Sequence, residues 1–389
     1  MLIHKLPQEI VEYQKLAREF ATRELLPASH KLDNSTEFPL DLIKSAWESG
    51  LLNMAVPEAQ GGLGLSCLEN CVIQEELAAG DSGVAGIIES SDVAQRFVIE
   101  CGDEEQKNEF LASMVEAPAV AGYAMESPFR NSQVFFRRDG EEFFLNGKHN
   151  AIVNGGVGEW YVIKAFEDRR ELAAQSNDGH AQEQELGSAT YFLVRSGEDG
   201  LNFDQRVTTI GKKALVISSA RFDEVMVPAT AVLGGQGQAE RVYNQCLTKT
   251  YPLMAAAMVG LARSAMEHAL RYSKERHTFG LPISSFQGIS FMLADMAKDI
   301  EAARLLVLQA AQLADEKYSP ISEAVCAKAF AQDMVMRVTT DAVQVFGGYG
   351  FSKEYPVEKL MRDAKVAQLI DGTSETQKVN LGRQLVTAV

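Results

Sequence analysis

A long apolar seam in the C-terminal half most constrains how this chain can fold. Its members alternate steps of four and three residues: Ile289, Leu293, Met296, Ile300, Ala303, Val307 and Ala310. This spacing places them on one face of a long α-helix that packs in a bundle. The preceding helix is marked by a second stripe, at Leu261, Ala265, Ala269 and Tyr272. We interpret both stripes as core or subunit interface, and we predict helices from about residue 236 onward.

The N-terminal region is also predicted to be helical. From Pro7 to about residue 120, apolar residues recur with the helical period. We expect interruptions at Pro27, at Pro39 and in the glycine-rich turn 61–64.

Between these regions the pattern changes to short β-prone runs, at 142–145, 160–166 and 190–194. Asn146-Gly147 is expected to form a hairpin turn. The polar stretch 167–187 has few large apolar residues, so we predict an exposed, mobile loop there. The sequence therefore predicts three domains, at 1–120, 121–235 and 236–389.

Composition and charge exclude several classes of protein. The chain has 389 residues, of which 46% are hydrophobic, as in ordinary globular proteins. No apolar run approaches the ~20 residues that a membrane span needs. The first residues lack the apolar core of a signal peptide, so we expect a cytoplasmic protein. A net charge of −16 argues against general affinity for nucleic acid or anionic membranes. The five cysteines show no paired metal spacing, so we predict reduced thiols and no metal site.

The first segment that could carry chemistry begins at Arg276. This arginine closes one helix, and Phe286-Gln287 opens the next, so a cation and an amide converge at a turn between helices. A guanidinium there can bind a phosphate through two hydrogen bonds. It can equally serve only to satisfy the negative end of its helix dipole.

Two further segments contain glycine turns. Gln344 precedes a run with three glycines, at 347, 348 and 350, where backbone N–H groups can approach a ligand closely. Such turns also simply end helices. In the other segment, Asp371 precedes a glycine, Thr373 can cap the following helix, and Glu375 lies in its first turn. Here the alternatives are a cap alone, or a cap with Asp371 as a base in the loop before it.

In order and spacing, these segments resemble the acyl-CoA dehydrogenase family over essentially the whole chain. The matching motifs are Val56-Pro57-Glu58 with Gly61-Gly62-Leu63-Gly64, Glu75-Glu76-Leu77-Ala78, Val227-Pro228, Arg276-x-x-Phe279-Gly280 with Phe286-Gln287, Gln344-x-Phe-Gly-Gly-Tyr-Gly, and Arg362-Asp363 leading to Asp371-Gly-Thr-Ser. The resemblance implies an α+β fold with an N-terminal helical domain, a middle β-barrel domain and a C-terminal four-helix bundle. It also implies a homo-oligomer, either a homotetramer or a homodimer.

The resemblance implies FAD as the cofactor, bound between the β domain and the bundle. Its pyrophosphate would reach the neighbouring subunit. The residues implied to hold the FAD of the partner chain are Arg276, Phe279, Gln287, Gln344 and Gly348. Thr373 and Glu375 would contact the FAD of their own chain. Met125, Ser132 and Val153 are the β-domain residues implied to bind the cofactor.

The resemblance also places the catalytic base at Asp371, where the family has a glutamate. This residue would remove the proton α to the thioester carbonyl while hydride leaves the β carbon for flavin N5. Because aspartate is one methylene shorter, its carboxylate falls ~1–1.5 Å short on an unchanged backbone. Asp92 lies on a helix that lines the acyl pocket in this family. It is either a solvated helix residue or a second carboxylate that faces the acyl group.

The sequence departs from the family pattern near the flavin ring. Glu126 replaces a threonine that hydrogen-bonds the ring, and Val153 replaces another threonine near flavin N5. Thr250 occupies the family's second location for a base, and the usual Asp-x-x-Arg of that helix is absent. The residues that would contact the FAD tail, which contains the pyrophosphate, match the family pattern. Those that would contact the reactive flavin ring depart from it. Either the ring is held differently for an unusual thioester, which we favour, or this chain has left flavin redox chemistry.

The sequence therefore predicts FAD-dependent dehydrogenation of an acyl thioester, on CoA or on acyl-carrier protein, with a non-standard acyl group. Electron-transfer flavoprotein or another acceptor would take the electrons. One alternative is an enzyme of the same fold with non-redox chemistry on a thioester. The other is a non-catalytic subunit of a hetero-oligomeric dehydrogenase.

Overall fold

The computed structural model describes residues 6–125, 133–168, 186–316, 318 and 321–387. Within these ranges, six helices precede the first strand: α1 (Gln8–Phe20), α2 (Leu26–Asp33), α3 (Leu40–Glu48), α4 (Cys67–Gly80), α5 (Ser82–Cys101) and α6 (Glu104–Glu116). A π-helical turn, Ala21–Leu25, joins α1 to α2 without a break. Pro27 therefore does not interrupt the helical path, because a proline is tolerated in the first turn of α2.

Helix α5 is the central element of this domain. Its residues from Ser82 to Val98 are all buried, as expected of a helix that has neighbours on every side. Asp81 caps its N-terminus, where the side chain accepts hydrogen bonds from the amides of Gly83 and Val84 at 3.0 and 2.9 Å. Functional side chains on this helix therefore face protein rather than solvent.

The middle region is a single sheet in the described ranges. Its strands are β1 (Gly122–Ala124), β2 (Gln133–Asp139), β3 (Glu142–Val153), β4 (Trp160–Asp168), β5 (Leu186–Arg195), β6 (Leu201–Arg206), β7 (Ile217–Pro228) and β8 (Val232–Leu233). The ladder runs β6-β7-β3-β1-β4-β5-β8, and β2 also pairs with β3 and β4. Strands β1 and β2 therefore occupy one position between β3 and β4. The three β-prone runs of the sequence lie in β3, β4 and β5, as predicted.

The predicted hairpin turn at Asn146-Gly147 is wrong. Both residues lie inside β3, where the register against β7 shifts. The connection from β2 to β3 is made instead at Gly140, which has φ 62°. A Cβ on Gly147 would lie 2.4 Å from the carbonyl oxygen of Gln133, and the residue has φ 124°. This glycine therefore permits a bulge and a close strand approach rather than a turn.

Most of the predicted mobile loop lies outside the described residues. Its first two residues, 167 and 168, belong to the end of β4, and its last two, 186 and 187, begin β5. Residues 169–185 between them are not described.

Helices return after the sheet: α7 (Ala239–Glu275), α8 (Gln287–Asp315), α9 (Ile321–Phe346), α10 (Val357–Leu369) and α11 (Ser374–Thr387). A short pair of strands, β9 (His277–Thr278) and β10 (Leu281–Pro282), lies between α7 and α8. The predicted seam of α8 is confirmed from Met296 to Ala310, where its members are buried. Ala265 and Ala269 of the α7 stripe are fully buried as well.

The described residues contain neither a helix suited to span a membrane nor a cluster of metal-binding side chains. No helix in those ranges combines the length and apolar character that crossing a bilayer requires. No group of three or more His, Cys, Asp or Glu side chains there is placed to hold a metal ion.

Candidate active site

Asp371 lies in the short loop between α10 and α11. It is buried and has φ 57°, a left-handed conformation that is uncommon outside glycine. Two side chains of α9 hydrogen-bond the backbone of this turn. Lys328 Nζ donates a hydrogen bond to the carbonyl oxygen of Asp371 at 2.6 Å. Gln332 Nε2 donates to the carbonyl oxygen of Gly372 at 2.7 Å. The loop therefore presents a buried carboxylate from a fixed backbone.

The cap predicted for the following helix is confirmed. The amide of Thr376 donates to Thr373 Oγ1 at 3.4 Å, and α11 begins at the next residue, Ser374. Glu375 is exposed in the first turn. Hydrogen bonds from its own amide and from Thr373 lower the pKa of this carboxyl group. Both residues remain accessible to a ligand beside the loop.

A buried ionic network fixes α10, and therefore the loop that carries Asp371. Lys359 Nζ lies 3.0 Å from Asp81 Oδ2 and 2.7 Å from Asp363 Oδ2. Burial alone would lower the pKa of Lys359, but the two carboxylates outweigh it and raise the pKa. Asp363 Oδ1 also accepts a hydrogen bond from the amide of Lys212 at 2.5 Å. The start of α5, helix α10 and the segment before β7 are thus joined.

Titratable side chains from four elements meet around Asp371. Lys328 comes from α9, Glu89 from α5, Tyr251 from α7 and Tyr123 from β1, and all are buried. Lys328 Nζ lies 4.0 Å from the centroid of the Tyr251 ring. Burial lowers the pKa of Lys328 to about 8, and burial raises the pKa of Glu89. Burial, together with Asp371 and Glu89, raises the pKa of Tyr123 well above its usual range.

None of these four residues stands out in the sequence as a member of a functional motif. Lys328 offered one signal. It lies in the buried face of α9, among Ala324, Ala331 and Val335, where a lysine is unexpected. Nothing in the sequence shows that α5, α7 and β1 converge on that lysine.

Asp92 is not a solvated helix residue. It is only 1% exposed, and neither carboxylate oxygen has a hydrogen-bond partner among the described residues. Burial raises the pKa of Asp92 to about 7; Glu89, one turn earlier, also raises the pKa, whereas Arg96 lowers it. The structure thus excludes the solvated interpretation and leaves an unsatisfied acid on the buried helix α5.

Three of the five residues expected to hold the FAD of the partner chain line a cavity of about 540 Å³ between α7, α8 and α9. Arg276, Phe279 and Gly348 line it together. The Arg276 guanidinium lies 5.8 Å from the centroid of the Tyr349 ring, and Phe279 is 92% exposed. The expected amides are nearby in sequence and exposed: Gln287 begins α8, and Gln344 lies one turn before the glycines.

Two of the three β-domain residues expected to bind the cofactor, Val153 and Met125, lie in the described ranges. Val153 of β3 is paired with Tyr123 of β1 and is fully buried. Met125 is half-buried, and its amide donates to the carbonyl oxygen of Ala151 at 3.1 Å. Ser132 lies outside the described residues, as does Glu126.

Two family models cover most of the chain. The model of the N-terminal domain of acyl-CoA dehydrogenase matches residues 7–117, and that of the C-terminal domain matches residues 224–386. The chain belongs to the acyl-CoA dehydrogenase family. The probable acyl-CoA dehydrogenase FadE25 of Mycobacterium leprae is 33% identical over 390 residues, covering 99% of this chain and 97% of the relative.

Solved structures agree with this assignment. Butyryl-CoA dehydrogenase from Megasphaera elsdenii is 31% identical with a TM-score of 0.89, covering 99% of this chain and 100% of that one. A glutaryl-CoA dehydrogenase from Mycobacterium smegmatis, solved in complex with FADH2, has a TM-score of 0.86 and covers 98% of this chain and 95% of that one. At 23% identity this second likeness shows the fold alone.

The acyl-CoA dehydrogenase fold, with its N-terminal helical, middle β and C-terminal helical domains, is confirmed. The predictions of a flavin-dependent oxidoreductase of this family and of FAD as the family's cofactor are confirmed as well. The roles predicted for individual residues remain predictions.

Proposed function

We propose that this protein dehydrogenates an acyl thioester with Asp371 as the base. One observation carries the proposal: a buried carboxylate projects from a left-handed turn that a buried lysine holds. A carboxylate in such a position can accept the weakly acidic proton α to a thioester carbonyl. The amide of Asp371 would donate to the thioester oxygen as negative charge develops there. Bound FAD would supply the acceptor for hydride from the β carbon.

The residues present fit the tail of FAD. A Cβ built on Gly347 or Gly348 would meet no atom within 4 Å, so the backbone borders open space beside Arg276. A guanidinium next to exposed glycine amides is a suitable site for pyrophosphate. In an oligomer, Arg276, Phe279, Gln287, Gln344 and Gly348 would hold the FAD of the partner chain.

The remaining proposed contacts belong to the chain's own FAD. Thr373 and Glu375 lie directly after the base and would bind the cofactor from the start of α11. Met125, Ser132 and Val153 would do so from the β domain. Because Val153 has no hydroxyl group, the ring would be held here without the hydrogen bond that a threonine provides.

We also propose that the acyl group is polar or otherwise non-standard. Asp92 supports this, since a buried carboxyl group without hydrogen bonds is costly in the free protein. A purely aliphatic acyl chain would leave both carboxylate oxygens of Asp92 without a hydrogen-bond partner. An acyl group that carries a hydrogen-bond donor or a basic nitrogen would supply the missing partner.

The proposal extends to the thioester carrier, the electron acceptor, the oligomeric state and the location of the protein. The thioester would be on CoA or on acyl-carrier protein, and electron-transfer flavoprotein or another acceptor would take the electrons. The chain would act as a homo-oligomer, such as a homotetramer, in the cytoplasm. Its domains would meet near residues 120 and 235, where helix gives way to strand and strand to helix.

The test compares Asp371→Asn with Asp341→Asn, a control carboxylate on α9. Purified protein would be loaded with FAD and mixed with straight-chain, branched, cyclic and amino-substituted acyl-CoA esters. We expect bleaching of the flavin by at least one ester, retained in the control and lowered by several orders of magnitude in Asp371→Asn. A yellow protein that no ester bleaches, but that exchanges α-protons with solvent, would favour non-redox chemistry. A colourless, inactive protein that binds a homologue would favour the non-catalytic subunit.

A further inference from the structure

Resting on the proposed function, we infer that Lys328 is the positioning residue for Asp371. Its ammonium group holds the backbone of that residue in place and favours the ionised carboxylate. Lys328 is a buried cation. Its ammonium group contacts both the backbone carbonyl oxygen and the carboxylate of Asp371.

The contacts of Lys328 converge on the base. Its side chain is 0% exposed, and its Nζ lies 2.6 Å from the carbonyl oxygen and 3.9 Å from Oδ2 of Asp371. The Tyr251 ring covers the ammonium group at 4.0 Å, a cation–π distance. A buried ammonium is costly unless it is paired and hydrogen-bonded. Asp371 offsets this cost in two ways. Its carbonyl oxygen accepts a hydrogen bond from the ammonium group, and its carboxylate balances the positive charge.

The hydrogen bond to the carbonyl oxygen supports an unfavourable backbone conformation. Asp371 has φ 57°, which the Cβ of a non-glycine residue disfavours. Gln377 Nε2 reaches the same carbonyl oxygen at only 3.4 Å, so Lys328 makes the shorter of these two contacts. Without the lysine, the turn is free to relax, and the carboxylate moves away from the α carbon that it must reach.

The charge of Lys328 balances a cluster that is otherwise acidic. Asp371 and Glu89 both face it, and each favours the charged lysine. The Tyr251 ring packs against the ammonium group, and Tyr123 is near enough to Asp371 and Glu89 for their charges to raise its pKa. The positive charge of Lys212, in the segment before β7, acts on Glu89. Two carboxylates near each other resist simultaneous ionisation. Removing Lys328 therefore favours protonation of the base, so activity will require a higher pH.

The first test is a double-mutant cycle that needs no substrate. Lys328→Met, Asp371→Asn and the double variant are unfolded thermally as FAD-loaded proteins. We expect the loss of melting temperature caused by Lys328→Met to be clearly smaller in the Asp371→Asn background, because the charge pair is already gone. Strictly additive shifts would overturn the electrostatic part of the inference. If Lys328→Met does not fold, Lys328→Gln replaces it in the same cycle.

The second test measures proton abstraction alone, as exchange of the α-hydrogens of butyryl-CoA with D2O followed by NMR. For Lys328→Met we expect roughly 10- to 100-fold slower exchange at pH 7. We also expect the acid limb of the profile of exchange rate against pH to shift upward by about one pH unit. Lys328→Arg should keep the limb in place, and the surface control Lys378→Met should change neither property. An unchanged limb in folded Lys328→Met would reduce the lysine to a purely structural residue.

The two proposals fail in different ways. If Asp371→Asn exchanges α-protons at the normal rate, the proposed base is wrong whatever Lys328 does. If Asp371→Asn abolishes exchange while Lys328→Met keeps both the rate and the pH profile, only the inference about Lys328 is wrong.

Discussion

Arg362 and Asp33 form an ion pair with two hydrogen bonds that joins α10 to α2. The guanidinium nitrogens lie 2.9 and 2.7 Å from the two carboxylate oxygens, and Asp33 is only 5% exposed. Arg362 also bonds Glu358 within its own helix and the carbonyl oxygen of Ile210. Since α10 leads directly into the loop of Asp371, this pair fixes the base from a distance. The Arg362-Asp363 motif therefore has a structural role beside its place in the family pattern.

We expect Arg362→Met to lower the free energy of unfolding by about 3 kcal/mol, because the buried Asp33 carboxylate loses both guanidinium hydrogen bonds and keeps only the longer contact of 3.8 Å to Lys213 Nζ among its ion pairs in the described residues. Burial alone would raise the pKa of Asp33, but Arg362 outweighs it and lowers the pKa. The stabilisation is therefore complete at neutral pH and is lost as the pH falls through the lowered pKa. Urea unfolding at pH 7 measures the effect.

The matched control is Lys44→Met, which removes an exposed i,i+4 pair with Glu48 at 3.8 Å. It should leave the unfolding midpoint unchanged within error. Equal effects of the two substitutions would show that the Arg362 pair contributes no more than a surface pair.

Asp92→Asn should change how stability depends on pH. Burial raises the pKa of Asp92 from 3.8 to about 7, so the folded state retains a proton that the unfolded state has lost between those values. In the wild type this linkage lowers the free energy of unfolding as the pH rises from about 4 to 7, by at most about 4 kcal/mol. The amide of Asp92→Asn cannot titrate. The free energy of unfolding of the wild type, taken relative to that of Asp92→Asn, should therefore fall as the pH rises from about 4 to 7 and stay constant at higher pH. Urea titrations at pH 4.5, 6 and 8 test this, and a constant difference would contradict it.

Arg276→Ala should weaken FAD binding and assembly together. The arginine lines the cavity beside the open glycines, where the FAD of a partner chain is proposed to lie. A ligand bound across an interface stabilises the assembly, so losing its contact should lower the FAD affinity and the melting temperature in parallel. Fluorescence titration with FAD and analytical ultracentrifugation provide the measurements. Lys274→Ala, an exposed lysine at the end of the same helix, is the control. A monomer that binds FAD stoichiometrically would be incompatible with the proposal.

Much of the fold could be predicted from the sequence because helical periodicity is a local signal. The seam from Met296 to Ala310 and the cap at Thr373 needed only spacing and residue type. The hairpin prediction at Asn146-Gly147 failed because the same dipeptide suits a bulge, and only the neighbouring strands decide between the two.

The candidate site was less predictable because it depends on contacts between distant segments. Asp371 stood out through its loop, but Lys328 lies 43 positions earlier and Glu89 much further still. The burial of Asp92 could not be predicted either, since a short polar run on a helix usually faces solvent. Only the packing of α5 on all sides makes that carboxylate unusual.

Asp371→Glu tests whether the shorter base is matched to an unusual acyl group. The substitution advances the carboxylate by about 1–1.5 Å, to the reach of the glutamate that the family pattern contains. If the native geometry is built around aspartate, the longer side chain should raise kcat/KM for butyryl-CoA by at least tenfold. It should lower the value by a similar factor for the ester that bleaches the wild-type flavin best, because a misplacement of this size is costly. Lys328 must also adapt, since its Nζ lies 3.9 Å from Oδ2 of the native side chain. A double variant, Asp371→Glu with Lys328→Arg, therefore checks whether the cation limits the longer base. Flavin reduction is followed by stopped-flow absorbance for both esters in all three proteins. If the ratio of the two kcat/KM values is unchanged in both variants, the length of the base does not set the choice of acyl group, and Asp92 on α5 becomes the residue to test next.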